Sequence, residues 1–339
     1  MKHQITLTVT LGILLVSCAF SVGMGAVYIP PESVLDVLTQ DIWATNTPLG
    51  SKNKVIETIV WEIRLPRIIL AILVGAALAG AGGVMQGFFQ NPMADPYIMG
   101  ISAGAALGAT LAITLNMEFW IFGLNAVSIA AFFGALSVTL LVYTLARRRG
   151  RVASTTLLLT GIAIGAIGTS VTSYMLIMGG ENQRQLLFWL MGSLSARRWD
   201  HVWMLLPYAT VGLGIILIYA RELNVLLLGD EQAAQLGVHV EKVKLILLTA
   251  SACLAAAAVS VSGIIGFVGL LAPHMVRLIV GPDYRIFTPM AALGGAILLV
   301  WADLIARTAL APAEIPIGIL TTVLGAPFFL YLLHRQRKV

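Results

Sequence analysis

Residues 65–86 read LPRIILAILVGAALAGAGGVMQ, with Arg67 as the one charged side chain. The run is long enough to cross ~30 Å of hydrocarbon as a helix, which takes about 20 apolar residues. It lacks the strict alternation of a membrane β-strand, and backbone groups in lipid must be hydrogen-bonded within the segment. The stretch therefore predicts a transmembrane helix.

Similar apolar runs recur along all 339 residues. The chain is 58% hydrophobic and 11% charged, with a mean hydropathy of +0.91, whereas a soluble domain is about a quarter charged. The pattern predicts an all-α polytopic membrane protein with about ten transmembrane helices, forming one domain over 1–339. The predicted spans are 5–28, 65–86, 98–115, 120–145, 153–178, 200–220, 243–261, 264–281, 288–306 and 314–334.

The first span has an alternative interpretation. Leu15–Cys18 reads LVSC behind a basic start, which is similar to a lipoprotein cleavage box. The apolar run continues to Ile29, which is too long for the apolar region of a signal peptide. We therefore expect 5–28 to be a membrane helix.

Two connections are long. Residues 29–64 carry several prolines and mixed charge, and predict a surface loop. Residues 179–199 contain LLFWLMGSL at 186–194, which is too short to span a membrane and predicts a re-entrant or interfacial helix.

The basic residues give an orientation. Most of the 21 Lys and Arg residues fall on one side if both termini are cytoplasmic, which the positive-inside rule favours. The inside set is Lys2, Arg147, Arg148, Arg149, Arg151, Arg221, Lys242, Lys244, Arg277, Arg285, Arg335, Arg337 and Lys338. The basic residues left outside need another explanation, above all those at 64, 67 and 307.

The chemistry that the chain lacks is equally informative. No Lys precedes Ser or Thr, so the phosphate loop GxxxxGK[ST] is absent. We find no metal-ligand cluster, no nucleophile elbow and no pair of catalytic carboxylates, and expect a non-enzymatic chain without a cofactor or nucleic acid partner. Ion-coupled carriers usually have charged residues within the membrane, and Asp303 and His274 are here more simply interpreted as buried, hydrogen-bonded residues.

Five stretches together resemble the FecCD-type permease subunits of ABC importers for iron–siderophore complexes, haem and cobalamin. They are RLPR (64–67), GGVMQGFFQNPMADPYIMGISAGA (82–105), GDEQAAQLG (229–237), GFVGLLAPHMVR (266–277) and ADLIARTALAPAEIPIGILTTVLGAPFFLYLL (302–333). The resemblance covers nearly the whole chain. It implies a type II ABC importer permease with a cobalamin-permease-like fold, in which spans 2–5 and 7–10 form an inverted repeat.

The resemblance assigns the polar stretch near 226–241 to coupling helices that dock on an ATPase subunit. The acidic pair suits a helix N-terminus, small residues allow close seating, and a Gly can end the helix. The implied coupling residues are Asp230, Glu231, Ala233, Ala234 and Gly237. An ordinary cytoplasmic loop helix is the alternative.

The external arginines also gain a role. In this family, arginines at the outer ends of the second and ninth spans pair with glutamates of a substrate-binding protein, which implies docking by Arg64, Arg67 and Arg307. Arginine can bind a carboxylate through two parallel hydrogen bonds, but it also often reaches toward lipid headgroups without a partner.

The resemblance places the inner gate and pathway on the fifth span, whose small, uncharged side chains suit a bulky chelate. The implied residues are Ser154, Thr155, Gly161, Gly165, Thr169 and Ser173. The first two can instead cap the helix, and the two glycines can instead serve helix packing.

The expected assembly is a homodimer with two ATPase chains, which bind ATP and Mg²⁺, and one extracytoplasmic binding protein. It would lie in a bacterial or archaeal cytoplasmic membrane. The expected cargo is an iron(III)–siderophore or related metal chelate; haem, cobalamin and molybdate stay open. An ion-coupled secondary transporter and an intramembrane enzyme are the alternatives from other classes.

Overall fold

The computed structural model describes residues 2–25, 27–43, 51–121, 123–148 and 151–336. Helices dominate it, and short hairpins β1–β2 (Trp120–Ile121, Leu124–Asn125) and β3–β4 (Arg147–Arg148, Arg151–Val152) join some of them. The helices are α1 Lys2–Gly23, α2 Pro31–Trp43, α3 Ser51–Thr58, α4 Leu65–Phe88, α5 Ile101–Thr114, α6 Ala126–Ala146, α7 Ser154–Met178, α8 Gln183–Leu190, α9 Trp199–Ile218, α10 Ala220–Leu226, α11 Asp230–Gln235, α12 Val240–Ser262, α13 Val268–Val280, α14 Tyr284–Thr308 and α15 Ile317–Gln336.

The ten predicted spans each have a helix in the structure. Seven helices of the described chain are long and apolar enough to cross a membrane, namely α1, the continuous 54–88 helix ending in α4, α6, α7, α9, α12 and α14. The remaining spans match shorter apolar helices, α5, α13 and the apolar part of α15. The all-α polytopic prediction is confirmed.

The surface loop predicted at 29–64 is wrong. Pro31 opens α2, where a first-turn proline loses no hydrogen bond, and Val34 and Val37 bury one face of that helix. After 44–50, which lie outside the described residues, α3 continues through a π-helical turn at Ile59–Arg64 into α4. The proline and the charged residue at 31–32 therefore begin a helix and do not belong to a loop.

Two helix breaks organise the bundle. Residues 89–100 interrupt the chain between α4 and α5, and residues 263–267 interrupt it between α12 and α13. Phe88, at the end of α4, lies beside Lys244, near the start of α12, so α4 and α12 run antiparallel and the two breaks enter from opposite ends. The breaks meet where the Tyr97 hydroxyl donates to the Ile265 carbonyl at 2.9 Å.

The packing follows the same inversion. Helix α4 packs on α14 and α13, and α12 packs on α6 and α5, its counterparts in the other half. The segment α4–α7 and the segment α12–α15 thus form the inverted repeat expected of a transporter.

Glycines let these helices approach closely. A Cβ on Gly75 would overlap the Gly295 carbonyl between α4 and α14, and one on Gly108 would overlap the Ala130 carbonyl between α5 and α6. Lipid supplies no hydrophobic drive between helices, so backbone contact of this kind stabilises the bundle.

The short helix predicted within 179–199 is present as α8. The chain that leaves it is hydrogen-bonded to two helices of the second half of the repeat: Ser193 N donates to the Ser262 carbonyl at 2.7 Å, and Ile317 N donates to the Gly192 carbonyl at 2.9 Å. Helix α8 is therefore fixed at the point where α12 ends and α15 begins.

Candidate functional site

The polar stretch at 229–239 forms a short exposed helix at one end of the bundle. Helix α11 begins after Gly229, which has φ of 108°, and ends at Gly237, which has φ of 85°. Gly237 N donates to the Ala234 carbonyl and Val238 N to the Ala233 carbonyl, at 3.0 Å each. This pair of bonds is a Schellman motif, so the prediction that Gly237 ends the helix is confirmed.

Three contacts fix the base of this helix. The Asp230 carboxylate accepts a hydrogen bond from Lys244, whose ammonium lies 5.0 Å from the Phe88 ring centroid. The Gln90 side chain donates to the Leu226 carbonyl at 3.2 Å. The helix is thereby attached to α4 and α12.

A fourth contact attaches the preceding helix, α10, to α14. The Asn224 side chain accepts from Tyr284 N at 2.8 Å and donates to Asp283 at 2.6 Å. The Tyr284 hydroxyl in turn donates to the Gly83 carbonyl within α4 at 2.7 Å. Helices α10 and α11 are therefore attached to α4, α12 and α14 together.

The five predicted coupling residues do not all face outward. Glu231, Ala234 and Gly237 are exposed, whereas Ala233 is fully buried. Asp230 is exposed but bound to Lys244. Beside them, Leu236 presents a 64% exposed apolar side chain that the sequence analysis did not single out.

The opposite end of the same helices carries a buried ionic cluster. After the predicted orientation, this end is called the outer end from here on, and the end that carries α11 is called the inner end. Arg67, on α4, donates to both oxygens of Asp303, on α14, at 2.9 and 3.2 Å. Arg67 also makes paired bonds of 2.9 and 3.1 Å with the two oxygens of Glu314. The interpretation of Asp303 as a buried, hydrogen-bonded residue is confirmed.

The other two arginines of this cluster bind the end of α1. Arg64 donates to the carbonyls of Val22, Gly23 and Val27. Arg307 donates to the Met24 carbonyl at 2.8 Å and to Ser21, and its Nε lies 3.5 Å from Asp303.

The three arginines predicted to dock a partner thus face inward. Arg64, Arg67 and Arg307 are 5%, 7% and 7% exposed, and their N–H groups are largely used within the chain. Three guanidiniums against the two carboxylates of Asp303 and Glu314 leave a net positive charge within this cluster. The arrangement holds α1, α4 and α14 together.

Glu314 is the member of this cluster closest to solvent, with 35% of its side chain exposed. Burial alone would raise its pKa, but the hydrogen bonds and charge of Arg67, with a hydrogen bond to Ser195, hold the pKa of Glu314 below its usual range. It is therefore ionised near neutral pH.

The predicted pathway residues lie along α7, and they divide by face. Thr155, Thr169 and Ser173 are exposed, and Ser154 and Gly165 are partly so. Gly161 is buried, and a Cβ there would overlap the Ile98 carbonyl. Gly161 thus serves helix packing, whereas a Cβ on Gly165 would meet nothing within 4 Å.

The capping alternative for Ser154 and Thr155 is wrong. The residue before the first turn of α7 is Ala153, and no side chain caps that end. Neither hydroxyl caps the helix. The assignment of both residues to the inner gate stays a prediction.

His274 differs from its predicted environment. It is 5% exposed, but neither ring nitrogen has a hydrogen-bond partner among the described residues. It lines a cavity of about 370 Å³ with Gln86 and Arg277 near the inner end of α13.

Comparison with known proteins identifies the family of this chain. The sequence matches the FecCD transport family over residues 13–335, which is almost the whole chain. The chain belongs to the FecCD transport family.

Curated relatives of this FecCD chain are import permeases. A cobalamin import system permease from Halobacterium salinarum is 50% identical over 84% of this chain and 75% of the relative. A hemin transport system permease from Yersinia pestis is 44% identical over 96% of this chain and 94% of the relative.

A solved structure agrees with the FecCD assignment. It is described as an inward-facing conformation of a metal-chelate type ABC transporter, and it superposes with a TM-score of 0.83 at 30% identity. The match covers 97% of this chain and 99% of that one. The type II importer permease fold predicted from the five motifs is confirmed.

The sequence analysis did not predict the roles of two residues in the attachment of α11. Lys244 entered it only as one of the basic residues that set the orientation, and Asn224 did not enter it. A polar residue beside a membrane span is a usable signal, because it needs a partner that a nearby loop can supply.

Proposed function

We propose that this chain is the permease subunit of an ATP-driven importer for an iron(III)–siderophore or related metal chelate. Two copies would pair in the cytoplasmic membrane of a bacterium or archaeon, with both termini inside. Two separate ATPase chains would supply the energy, and an external binding protein would deliver the cargo. Residues 1–339 would act as one permease domain.

The proposal depends on the exposed surface formed by Glu231, Ala234 and Leu236, which is called the α11 platform here. It belongs to a polar, six-residue helix of a membrane protein, and the base of that helix is attached to three long helices. Such a surface suits a protein partner that moves, because motion of α11 reaches α4, α12 and α14 through the contacts of Asp230 and Asn224.

The face of α7 supports pairing of two copies around a pathway. Thr155, Thr169 and Ser173 alternate with exposed apolar side chains such as Ile162 and Tyr174. A second α7 opposite this face would enclose a weakly polar passage, which a bulky chelate could cross without being held.

Docking of the binding protein is proposed at the outer end, over Arg64, Arg67 and Arg307. The excess positive charge of the cluster and the partly exposed Glu314 support that site. Because the arginines are buried, reversing their charge would disturb the fold as well as any docking contact, so such variants need an independent stability measurement.

Family membership supports the proposed cargo class. One relative named above belongs to a cobalamin import system and the other to a hemin transport system. Iron–siderophore complexes are the proposed cargo here, with haem, cobalamin and molybdate as alternatives. An ion-coupled carrier is disfavoured, because Asp303 is held by two guanidiniums and is not free to carry a proton.

The first experiment is ATPase activity of the reconstituted permease and ATPase subunits in liposomes, titrated with binding proteins loaded with ferric siderophore, haem or cobalamin. We expect one loaded protein to stimulate turnover. Glu231→Arg and Leu236→Glu should weaken binding of the ATPase subunit by about tenfold or more, with little change in the melting temperature of the permease.

Lys242→Glu is the matched control, because it reverses an exposed charge on α12 outside the platform surface. It should leave ATPase binding unchanged. Unaltered ATPase binding by both platform variants would refute the coupling assignment, and uptake of cargo without any ATPase would restore the secondary-transporter alternative.

A further inference from the structure

A cavity of about 390 Å³ lies at the outer end of the bundle, beside α8. Its walls come from the first turn of α6, from α8 and from the chain at 193–197, and its floor includes Ser262. Gln185, Phe188 and Ser195 are exposed at its edge, so it is open to solvent. The volume lies within the range of about 300–1,000 Å³ that is usual for small-ligand sites.

Arg197 is the charged residue of the lining. Its Nε atom is buried and has no hydrogen-bond partner among the described residues. Nη1 lies 3.3 Å from Nε2 of His201, and no ion pair joins Arg197 to a described carboxylate. Burial lowers the pKa of Arg197 to about 10, so the guanidinium stays charged at neutral pH.

Withdrawing part of a cation from solvent without a compensating charge is costly, since a buried charge is normally paired. Arg67 is buried and is bound by two carboxylates, whereas Arg197 is half-buried and has no carboxylate partner among the described residues. The cavity beside Arg197 has room for an anionic group.

A second feature favours an anion at the same place. Helix α6 starts at the cavity, with Asn125 capping the amide of Ser128 at 3.0 Å and Val127 in the lining. The remaining first-turn amides and the positive end of a 21-residue helix add partial positive charge to that of Arg197.

The floor of the cavity reaches the break between α12 and α13. Ser262 ends α12, Ser193 N donates to its carbonyl, and a Cβ on Gly263 would overlap the Trp189 carbonyl. Broken helices near the middle of a transporter are where substrates are usually bound. On the outer side, Ser195 is hydrogen-bonded to Glu314 of the arginine cluster. The cavity therefore joins the outer surface to a broken helix.

We propose that this cavity is an outer anion site, in which Arg197 receives a carboxylate group of the arriving cargo. The site rests on the proposed importer function and narrows it to a chelate that carries a carboxylate. The volume accommodates one acidic arm of such a chelate, while the body of the chelate would stay in the wider passage. A single guanidinium holds this arm loosely enough for release inward.

Citrate serves as the probe. The full-length permease in lipid nanodiscs is titrated calorimetrically with citrate, with ferric citrate and with the uncharged triethyl ester of citrate. We expect saturable binding of both citrate forms to the wild-type chain. Arg197→Gln should weaken it by about tenfold or more, because a charge-assisted hydrogen bond is lost.

Two variants separate the site from general charge and from misfolding. Arg198→Gln removes the exposed neighbouring charge and should leave citrate binding unchanged. Arg197→Lys keeps the charge without the planar fork and should recover part of the affinity. The triester should bind the wild type and Arg197→Gln equally weakly.

Absence of saturable citrate binding to the wild-type chain would overturn the site, as would equal binding by Arg197→Gln. Equal weakening by Arg198→Gln would reduce the effect to surface charge and would also overturn it. The ATPase measurement on the same preparation is independent: normal stimulation without citrate binding refutes the anion site alone, whereas loss of ATPase binding refutes the importer proposal.

Discussion

The two ends of the helix bundle use their side chains in opposite ways. At the outer end, Arg67 and Asp303 are 7% and 1% exposed and bind each other. At the inner end, Glu231 and Leu236 are exposed, and the hydrogen bond between Lys244 and Asp230 lies beneath them.

The difference separates residues that maintain the fold from residues that can contact a partner. Charges buried in a membrane protein need partners within the chain, so changes at the outer cluster should first affect folding. Exposed side chains on α11 contribute little to stability, and changes there should first affect assembly. The two ends therefore make distinct, measurable predictions.

The largest effect is expected at the outer end. Arg67→Met leaves Asp303 buried with only the 3.5 Å contact to Arg307 and leaves Glu314 without its paired bonds. Breaking a buried ion pair from one side typically costs about 3–5 kcal/mol. We expect a marked fall in the apparent melting temperature in detergent and a lower yield of folded protein.

The double variant Arg67→Met with Asp303→Asn tests the cause. It removes the uncompensated carboxylate and should recover part of the lost stability. Arg198→Met is the surface control and should change stability by less than about 0.5 kcal/mol. If Arg67→Met melts like the wild type, the outer end is not a structural cluster, and its arginines are available for docking.

The sequence predicts the helices well because hydrophobic length is a local property. The runs at 65–86 and 288–306, for example, become α4 and α14 within a few residues. The span at 264–281 predicts a continuous helix, but the first residues stay unwound, because Ile265 contacts Tyr97 of the other helix break. The two residues of this contact are 168 positions apart in the chain, so a local sequence pattern does not predict it.

The same limit applies to the arginines. The sequence places Arg64, Arg67 and Arg307 at the outer ends of spans, and that position is compatible with lipid, partner or internal contacts. The choice depends on Asp303 and on carbonyls of α1, such as that of Val22, which are remote in sequence. Gly237 is predictable by contrast, because a helix C-terminus is decided within a few residues.

A smaller effect is expected at the base of the inner platform. Asn224→Ala removes the acceptor for Tyr284 N and the donor to Asp283, at a cost of about 1–3 kcal/mol if the amide is left unsatisfied. Hydrogen exchange should become faster at 220–237 and stay unchanged in α4. More ATP should also be consumed per cargo molecule imported, because α11 is less firmly attached to α14.

Arg221→Ala, an exposed neighbour on α10, is the control for this measurement and should change neither quantity. Equal protection of 220–237 in Asn224→Ala and the wild type would contradict the rigid attachment of the platform.

The smallest effect is expected from pH, and it tests how closed the outer cluster is. Glu314 has a pKa below its usual range in the folded chain, against about 4.3 when unfolded. Its stabilisation is therefore complete above the unfolded value and is lost as pH falls through the lower folded value. Since about a third of the side chain is exposed, solvent screening limits the gain to about 0.5–1 kcal/mol.

The difference in melting temperature between the wild type and Glu314→Gln should be constant from about pH 5.5 to 8 and should shrink below about pH 4. A difference that already shrinks near pH 6 would mean that Arg67 does not hold Glu314, and that the outer end resembles the open inner end more than its burial indicates.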